Sequence, residues 1–128
     1  MTGVAWMAPA MGLPPMEVAG LLASRMGGVI VLGWMAHFAI GVALALVYAG
    51  VFADLLRGPA FLRGALYGVL PWLVAQLVVM PVMGLGLFSG SAAMAAGSLA
   101  GHLVYGGVLG AIYGLSRAGA GVARHAHA

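Results

Sequence analysis

Two histidines are the residues whose type and surroundings point to chemistry. His37 and His102 each lie inside a long stretch without charged residues. An ionisable side chain costs free energy in such a setting, so it is a candidate functional residue. The chain has no cysteine, which excludes thiolate metal sites and iron–sulfur clusters. Imidazole is therefore the main group through which this sequence can bind a cofactor.

The first two interpretations of the histidines involve a hydrogen bond and a haem group. In the first, one imidazole forms a hydrogen bond across the bundle to Gln76, Ser98, Tyr105 or the other histidine. In the second, both histidines are axial ligands of a b-type haem. Gly41, Gly101 and Gly106 would then leave room for the macrocycle, and Gln76 is expected at a similar depth.

Copper is a third interpretation. Met80 and Met83 lie one helical turn apart, and thioether sulfur together with imidazole suits copper, with thioether favouring Cu(I). His37, His102, Met80 and Met83 are therefore the candidate metal ligands. Methionine is also an ordinary filler of irregular gaps, so the hydrogen-bonding, haem and copper hypotheses all stay open.

The composition shows which kind of element must position these residues. Hydrophobic residues make up 64% of the 128 residues and charged residues 5%, and the mean hydropathy is +1.13. Globular domains are nearer 45–50% apolar and about 25% charged. The sequence therefore predicts an all-α integral membrane protein, a polytopic bundle of transmembrane helices that contacts the lipid bilayer.

Three stretches are long enough to cross a bilayer, at residues 29–53, 61–88 and 92–116 of a single membrane domain. Residues 1–28 are predicted to form a short apolar and interfacial segment with a helix at 15–26, and residues 117–128 a tail. Glu17 and Asp54 are the only carboxylates and are expected on opposite sides of the membrane. We therefore predict that the protein is not an enzyme. No basic cluster indicates a nucleic-acid partner.

Arginine placement predicts the orientation. Arg57, Arg63, Arg117 and Arg124 share one side of the membrane, and Arg25 is alone on the other. The positive-inside rule then places the C-terminus in the cytoplasm. On this topology Tyr48, Tyr67 and Tyr113 are expected near the cytoplasmic interface, as an aromatic belt.

Spans one and three share an internal repeat. His37 is followed by Gly41, Ala45 and Tyr48 at the same offsets at which Gly106, Gly110 and Tyr113 follow His102. Steps of four residues stay on one helix face, so both histidines lie on stripes of small residues that favour helix packing. The predicted packing residues are Gly33, Gly41, Ala45, Gly64, Gly68, Ser98, Gly106, Gly110 and Gly114.

Several short motifs resemble a known family. These are the run from Met11 to Met16, the run from Trp34 to Phe38, Gly64 to Gly68 with Pro81, and Gly101 to Gly106 followed by Leu109 to Tyr113. The pattern resembles the small uncharacterised bacterial inner-membrane proteins related to YagU. The resemblance implies a bundle of roughly four helices in the inner membrane and no established activity. Only about a dozen apolar residues precede the Pro14–Pro15 pair here, where that family usually has a full helix.

Two functional hypotheses follow. In the first, the protein is an accessory subunit or a homo-oligomer without enzymatic activity, whose glycine and alanine faces pack against other membrane helices. In the alternative, it binds b-type haem or copper through His37 and His102, with the outer-side methionines serving for copper.

Overall fold

The computed structural model describes residues 18–126 as helices and connecting turns, with side chains described for residues 19–122. Helix α1 is Val18–Arg25, α2 is Ile30–Leu55, α3 is Ala60–Val82 and α4 is Ala92–Ala126. Helices α2, α3 and α4 are each long and apolar enough to cross a membrane. No strand occurs in residues 18–126. The prediction of an all-α bundle with three spans and a short N-terminal segment is confirmed.

Two helix ends differ from the predicted boundaries. Helix α3 ends at Val82 rather than at residue 88, because the chain turns at Gly84 and Gly86 with positive φ angles of 82° and 75°. A short 3-10 turn, Leu87–Gly90, then leads into α4. Helix α4 continues to Ala126, ten residues past the predicted end at residue 116, since alanine and arginine continue a helix readily.

The N-terminal segment forms the short helix α1, which covers part of the predicted 15–26 helix. Positions 15–17 lie outside the described residues. The turn after α1 uses Gly27 and Gly28, both with positive φ, and the Gly28 N–H donates to the Ala23 carbonyl at 2.8 Å. This turn brings α1 back onto α2, where Gly33 lies directly against the backbone of Ala19 and Ala23.

Helix α3 contains a π-helical turn, Ala75–Val79, just before Pro81. Proline lacks an N–H, and its ring clashes with the carbonyl four residues earlier in a regular helix. Here the Met80 N–H donates instead to the Ala75 carbonyl, five residues back. The wider turn accommodates the proline without ending the helix.

Helices α3 and α4 form an antiparallel pair with close backbone contact, which we call the glycine seam. It comprises Gly64 and Gly68 of α3 and Gly106 and Gly110 of α4. A Cβ atom at any of these positions would collide with backbone atoms of the other helix. Close approach of this kind is how helices associate in lipid, where burial of apolar surface gives no driving force between them.

Helix α2 contacts the α3–α4 pair through aromatic side chains near its C-terminal end. Tyr48 is fully buried and Tyr67 is 2% exposed, and they pack with Phe52 and Tyr113. Tyr48 and Tyr67 therefore do not turn their rings outward as an aromatic belt does, and their depth near the cytoplasmic interface stays a prediction. Their rings fill the interior of the bundle instead, where the Tyr67 hydroxyl donates to the Leu44 carbonyl at 2.8 Å.

Candidate binding cavity

A cavity of about 360 Å³ lies between α2 and α3, with contributions from α1 and α4. The α2 wall includes His37, Ile40, Leu44 and Val47, which follow one another in steps of three or four residues and so share a helix face. On α3 the lining residues extend from Tyr67 to Met83, which is about 24 Å at 1.5 Å per residue. The cavity therefore runs along the helices. Its described lining consists of Leu21, Leu22, His37, Ile40, Leu44, Val47, Phe52, Tyr67, Leu70, Pro71, Val74, Ala75, Val79, Met80, Met83 and His102.

The structure brings His37 of α2 and His102 of α4 onto this one cavity. His102 is buried, at 8% exposure, while His37 is half-buried and packs edge-on against the rings of Trp34 and Phe38. No charged side chain is among the described lining residues. The two imidazoles are therefore the most polar groups in an otherwise largely apolar space.

The hydrogen bond of His102 defines what its ring can bind. Its Nδ1 lies 2.8 Å from the backbone carbonyl oxygen of Ser98, one turn earlier in α4. A carbonyl oxygen only accepts hydrogen bonds, so Nδ1 carries the proton and Nε2 of the neutral ring is an acceptor. Among the described residues, Nε2 has no hydrogen-bond partner. A ring anchored at one nitrogen in this way is oriented to bind something at the other.

The backbone of His102 is held as firmly as its ring. Its carbonyl group lies directly against Gly68, within the glycine seam. The position of the imidazole is thus set by a backbone contact on one side and by the Ser98 carbonyl on the other.

Gln76 is not among the described residues that line the cavity, and its predicted role in cofactor binding beside the histidines stays a prediction. The side chain is fully buried, and Nε2 donates to Ser98 Oγ at 3.3 Å. Ser89 Oγ donates to Gln76 Oε1 at 2.8 Å. Both ends of the amide are used to join α3, α4 and the turn between them, so the residue has a structural role.

Met80 and Met83 line the cavity near the C-terminal end of α3. All four candidate copper ligands therefore line the same cavity. The described residues contain no group of three or more histidine, cysteine, aspartate or glutamate side chains that could hold a metal ion. A metal ion in this cavity would therefore depend on methionine sulfur in addition to imidazole.

The predicted packing residues make different kinds of contact in the structure. Gly64, Gly68, Gly106 and Gly110 form the glycine seam, and Gly114 lies against the Ala60 side chain at its end. Gly33 contacts α1 rather than another span. Ser98 acts through the Gln76 hydrogen bond, and Ala45 is half-buried.

Gly41 corrects the packing prediction for span one. A Cβ atom added there would meet no atom of residues 18–126 within 4 Å. The haem interpretation also loses support, because Gly106 faces the backbone of Gly64 and Gly68 and leaves no space for a macrocycle.

Sequence reasoning missed the tyrosine hydroxyls that attach α2 to the other two spans. Tyr105 donates to the Gly41 carbonyl at 2.5 Å and Tyr113 to the Ala49 carbonyl at 3.3 Å. The spacing of Tyr105 and Tyr113, eight residues apart on one face of α4, was a usable signal. Gly41 thus serves through its carbonyl group and not through close packing.

The three apolar helices are compatible, by length and composition, with a small polytopic α-helical membrane protein. A model of the family of unknown function DUF6789 matches residues 1–121, so the chain belongs to that family. The relationship to YagU is not confirmed. No curated protein and no solved structure matches the chain.

Proposed function

We propose that this protein is a membrane-embedded binding protein without enzymatic activity, and that its binding site is the cavity between α2 and α3. One observation carries the proposal: His37 and His102, on different helices, line the same largely apolar cavity. Polar groups within a membrane are costly and are retained mainly where they bind or act.

The lining supports a lipid-soluble ligand. Aliphatic and aromatic side chains dominate it, and none of the lining residues that the structure describes is charged. A ligand with a full charge would lose its hydration without gaining a counter-ion, which is unfavourable. We therefore expect a neutral molecule that enters from the bilayer.

The absence of enzymatic activity is part of the proposal. Asp54 is the one carboxylate whose side chain is described, and it pairs with Arg117 at the C-terminal end of α2, outside the cavity. The described lining of the cavity therefore has imidazoles but no carboxylate to orient them for acid–base or nucleophilic chemistry.

A role as an accessory subunit or homo-oligomer is a second candidate, favoured by the burial of the spans. In the most apolar 18-residue stretch of α2, only 6% of the residues are buried within the protein, compared with 33% in the corresponding stretch of α4. Helix α2 therefore has most of its surface available to lipid or to other helices. Native mass spectrometry of the purified protein should show a defined oligomer if this candidate is right, and a monomer would contradict it.

We also propose that the protein lies in the bacterial inner membrane with its C-terminus in the cytoplasm. Arg63 donates to the Ala53 carbonyl at 2.5 Å, and Arg117 pairs with Asp54, so these arginines gather at one end of the bundle. An excess of arginine is typical of cytoplasmic ends. A reporter fused after Ala128 should be active only in its cytoplasmic form.

Filling the cavity tests the binding proposal. Ala75→Phe places a large side chain in the cavity, whereas Val78→Phe makes the same kind of change at an exposed α3 position outside the lining. Protein purified in a mild detergent should retain a small lipid-soluble molecule, detected by native mass spectrometry. Ala75→Phe should lose that molecule and Val78→Phe should keep it.

The same preparations separate the cofactor hypotheses. A split Soret band that both His37→Ala and His102→Ala abolish would establish haem. Stoichiometric copper that depends on Met80 and His102 would establish copper. Equal retention of the ligand by Ala75→Phe and the wild-type protein would overturn the cavity as the binding site.

A further inference from the structure

We propose that the ligand of this cavity is a lipid-soluble alcohol or phenol whose hydroxyl group donates a hydrogen bond to Nε2 of His102. This inference rests on the proposed function, since it names the chemical class of the ligand for the same site. It follows from the polarity of one hydrogen bond, from the composition of the lining and from the shape of the cavity.

The Ser98 carbonyl fixes which nitrogen of the His102 ring carries the proton. Because that oxygen accepts from Nδ1, Nε2 of the neutral ring can only accept. His102 lines a largely apolar cavity, and an acceptor nitrogen in such a cavity is satisfied by a ligand that carries an O–H donor. Ligands whose polar atoms are all acceptors, such as ethers, esters and quinone carbonyls, cannot satisfy it.

The surroundings exclude charged head groups. No arginine is among the described lining residues. Arg63 and Arg117 are held elsewhere, by the Ala53 carbonyl and by Asp54. A carboxylate or phosphate would therefore be buried without a counter-ion. A neutral hydroxyl group is the donor that this lining tolerates.

The shape suits an apolar body attached to that hydroxyl. The cavity follows α3 from Tyr67 to Met83, and His102 lies partway along, because its backbone is opposite Gly68 and its side chain points toward the N-terminus of α4. Beyond it lie Val79, Met80 and Met83. Methionine side chains adapt to irregular apolar surfaces, so this end of the cavity can accept chains of different shape.

The test compares two probes that differ only in the donor. The full chain is placed in phosphatidylcholine nanodiscs with a photoreactive dodecanol or with its methyl ether at the same mole fraction. Labelled peptides that cover residues 67–83 are then quantified by mass spectrometry. We expect the alcohol to label this segment about threefold to tenfold more than the ether, the range for one neutral hydrogen bond.

Two variants locate the effect. His102→Phe keeps a ring but removes the acceptor, so alcohol and ether should label equally. Ser98→Ala is the matched control, because it removes Oγ but keeps the carbonyl group that anchors Nδ1, and it should retain the preference for the alcohol. The wild-type comparison of the two probes needs no variant and stays decisive if His102→Phe fails to fold.

The outcomes distinguish this inference from the proposed function. Equal labelling of the cavity segment by both probes in the wild-type protein would overturn the inference and leave the cavity a binding site. Stoichiometric copper in the purified protein, lost in His102→Phe, would also overturn it, because Nε2 would then be a metal ligand. Labelling of residues 67–83 no stronger than that of lipid-exposed α2 positions such as Val42 and Leu46 would overturn the proposed function itself.

Discussion

The two interfaces within the bundle are built on different principles. Helices α3 and α4 meet along the glycine seam with their backbones in contact. Helix α2 stays farther from them and is attached by long tyrosine side chains, whose hydroxyl groups donate to the carbonyls of Gly41, Leu44 and Ala49. At its four glycines the first interface has no room for a Cβ atom, whereas a cavity of about 360 Å³ lies along the second.

The difference shows that a stripe of small residues needs a matching surface. Spans one and three carry nearly the same stripe, but α3 offers its glycine pair, Gly64 and Gly68, to α4 only. The stripe on α2 is therefore divided: Gly33 contacts α1, whereas a Cβ atom added at Gly41 would meet open space among the described residues. The unfilled part of the α2 face becomes the wall that carries His37.

The largest effect is expected from adding one methyl group to the glycine seam. In Gly64→Ala the new Cβ collides with the backbone of Gly106 and Gly110, which cannot move aside as a side chain can. We expect the free energy of unfolding in mixed detergent and SDS to fall by about 3 kcal/mol, the upper range for overpacking.

Gly41→Ala is the matched control, because the same methyl group enters open space. Alanine is the better helix former, so this variant should be unchanged or about 0.5–1 kcal/mol more stable. If both variants lose the same stability, α2 packs as tightly as α4 and the contrast between the two interfaces does not hold.

A smaller effect is expected from the buried amide beside the seam. Gln76→Leu removes the partner of the Ser98 and Ser89 hydroxyl groups. Because Ser89 and Ser98 are only half-buried, we expect a loss of about 1 kcal/mol in the free energy of unfolding, typical of a lost hydrogen bond. If ligand binding falls while stability is unchanged, Gln76 belongs to the binding site and not to the packing of α3 on α4.

Much of this architecture could be predicted from the sequence. Uncharged apolar stretches give the three spans, because a bilayer requires them, and four-residue steps place Gly106 and Gly110 on one face. His37 and His102 were also expected to share a site, because two parallel spans bring equivalent repeat positions to a similar depth.

Other features were not predictable, because they depend on which helix faces which. The rotation of α3 directs Gln76 toward the hydroxyl groups of two serines, and periodicity within one helix contains no such information. Tyr48 and Tyr67 point inward because of contacts between helices. The Tyr67 hydroxyl bonds to the Leu44 carbonyl, and the two rings pack against each other. The early end of α3 depends on the backbone conformation at Gly84 and Gly86.

The tyrosine-bridged interface is examined by removing single hydroxyl groups. Tyr67→Phe loses the bond to the Leu44 carbonyl, and the free energy of unfolding should fall by about 0.5–1.5 kcal/mol. Tyr48→Phe should be neutral or stabilising, because the Tyr48 hydroxyl is buried without a partner among the described residues. A larger loss in Tyr48→Phe than in Tyr67→Phe would contradict this account, because it would mean that the Tyr48 hydroxyl contributes more to holding α2 than the Tyr67 hydrogen bond does.

The smallest effect is expected at the ion pair between α2 and α4. Arg117 and Asp54 are in contact, but their side chains are 54% and 72% exposed, and exposed pairs contribute little to stability. In Asp54→Asn the thermal midpoint in a non-ionic detergent should fall slightly at low ionic strength. The difference should vanish in 1 M salt, where the screening length is about 3 Å.

Arg57→Gln, a charge change at another exposed position of the same end, is the control and should leave the midpoint unchanged. If the thermal midpoint of Asp54→Asn stays lower in 1 M salt, α2 is held at this end by more than its tyrosine contacts and a screened ion pair. The interface of α2 with α3 and α4 would then be tighter than the cavity implies.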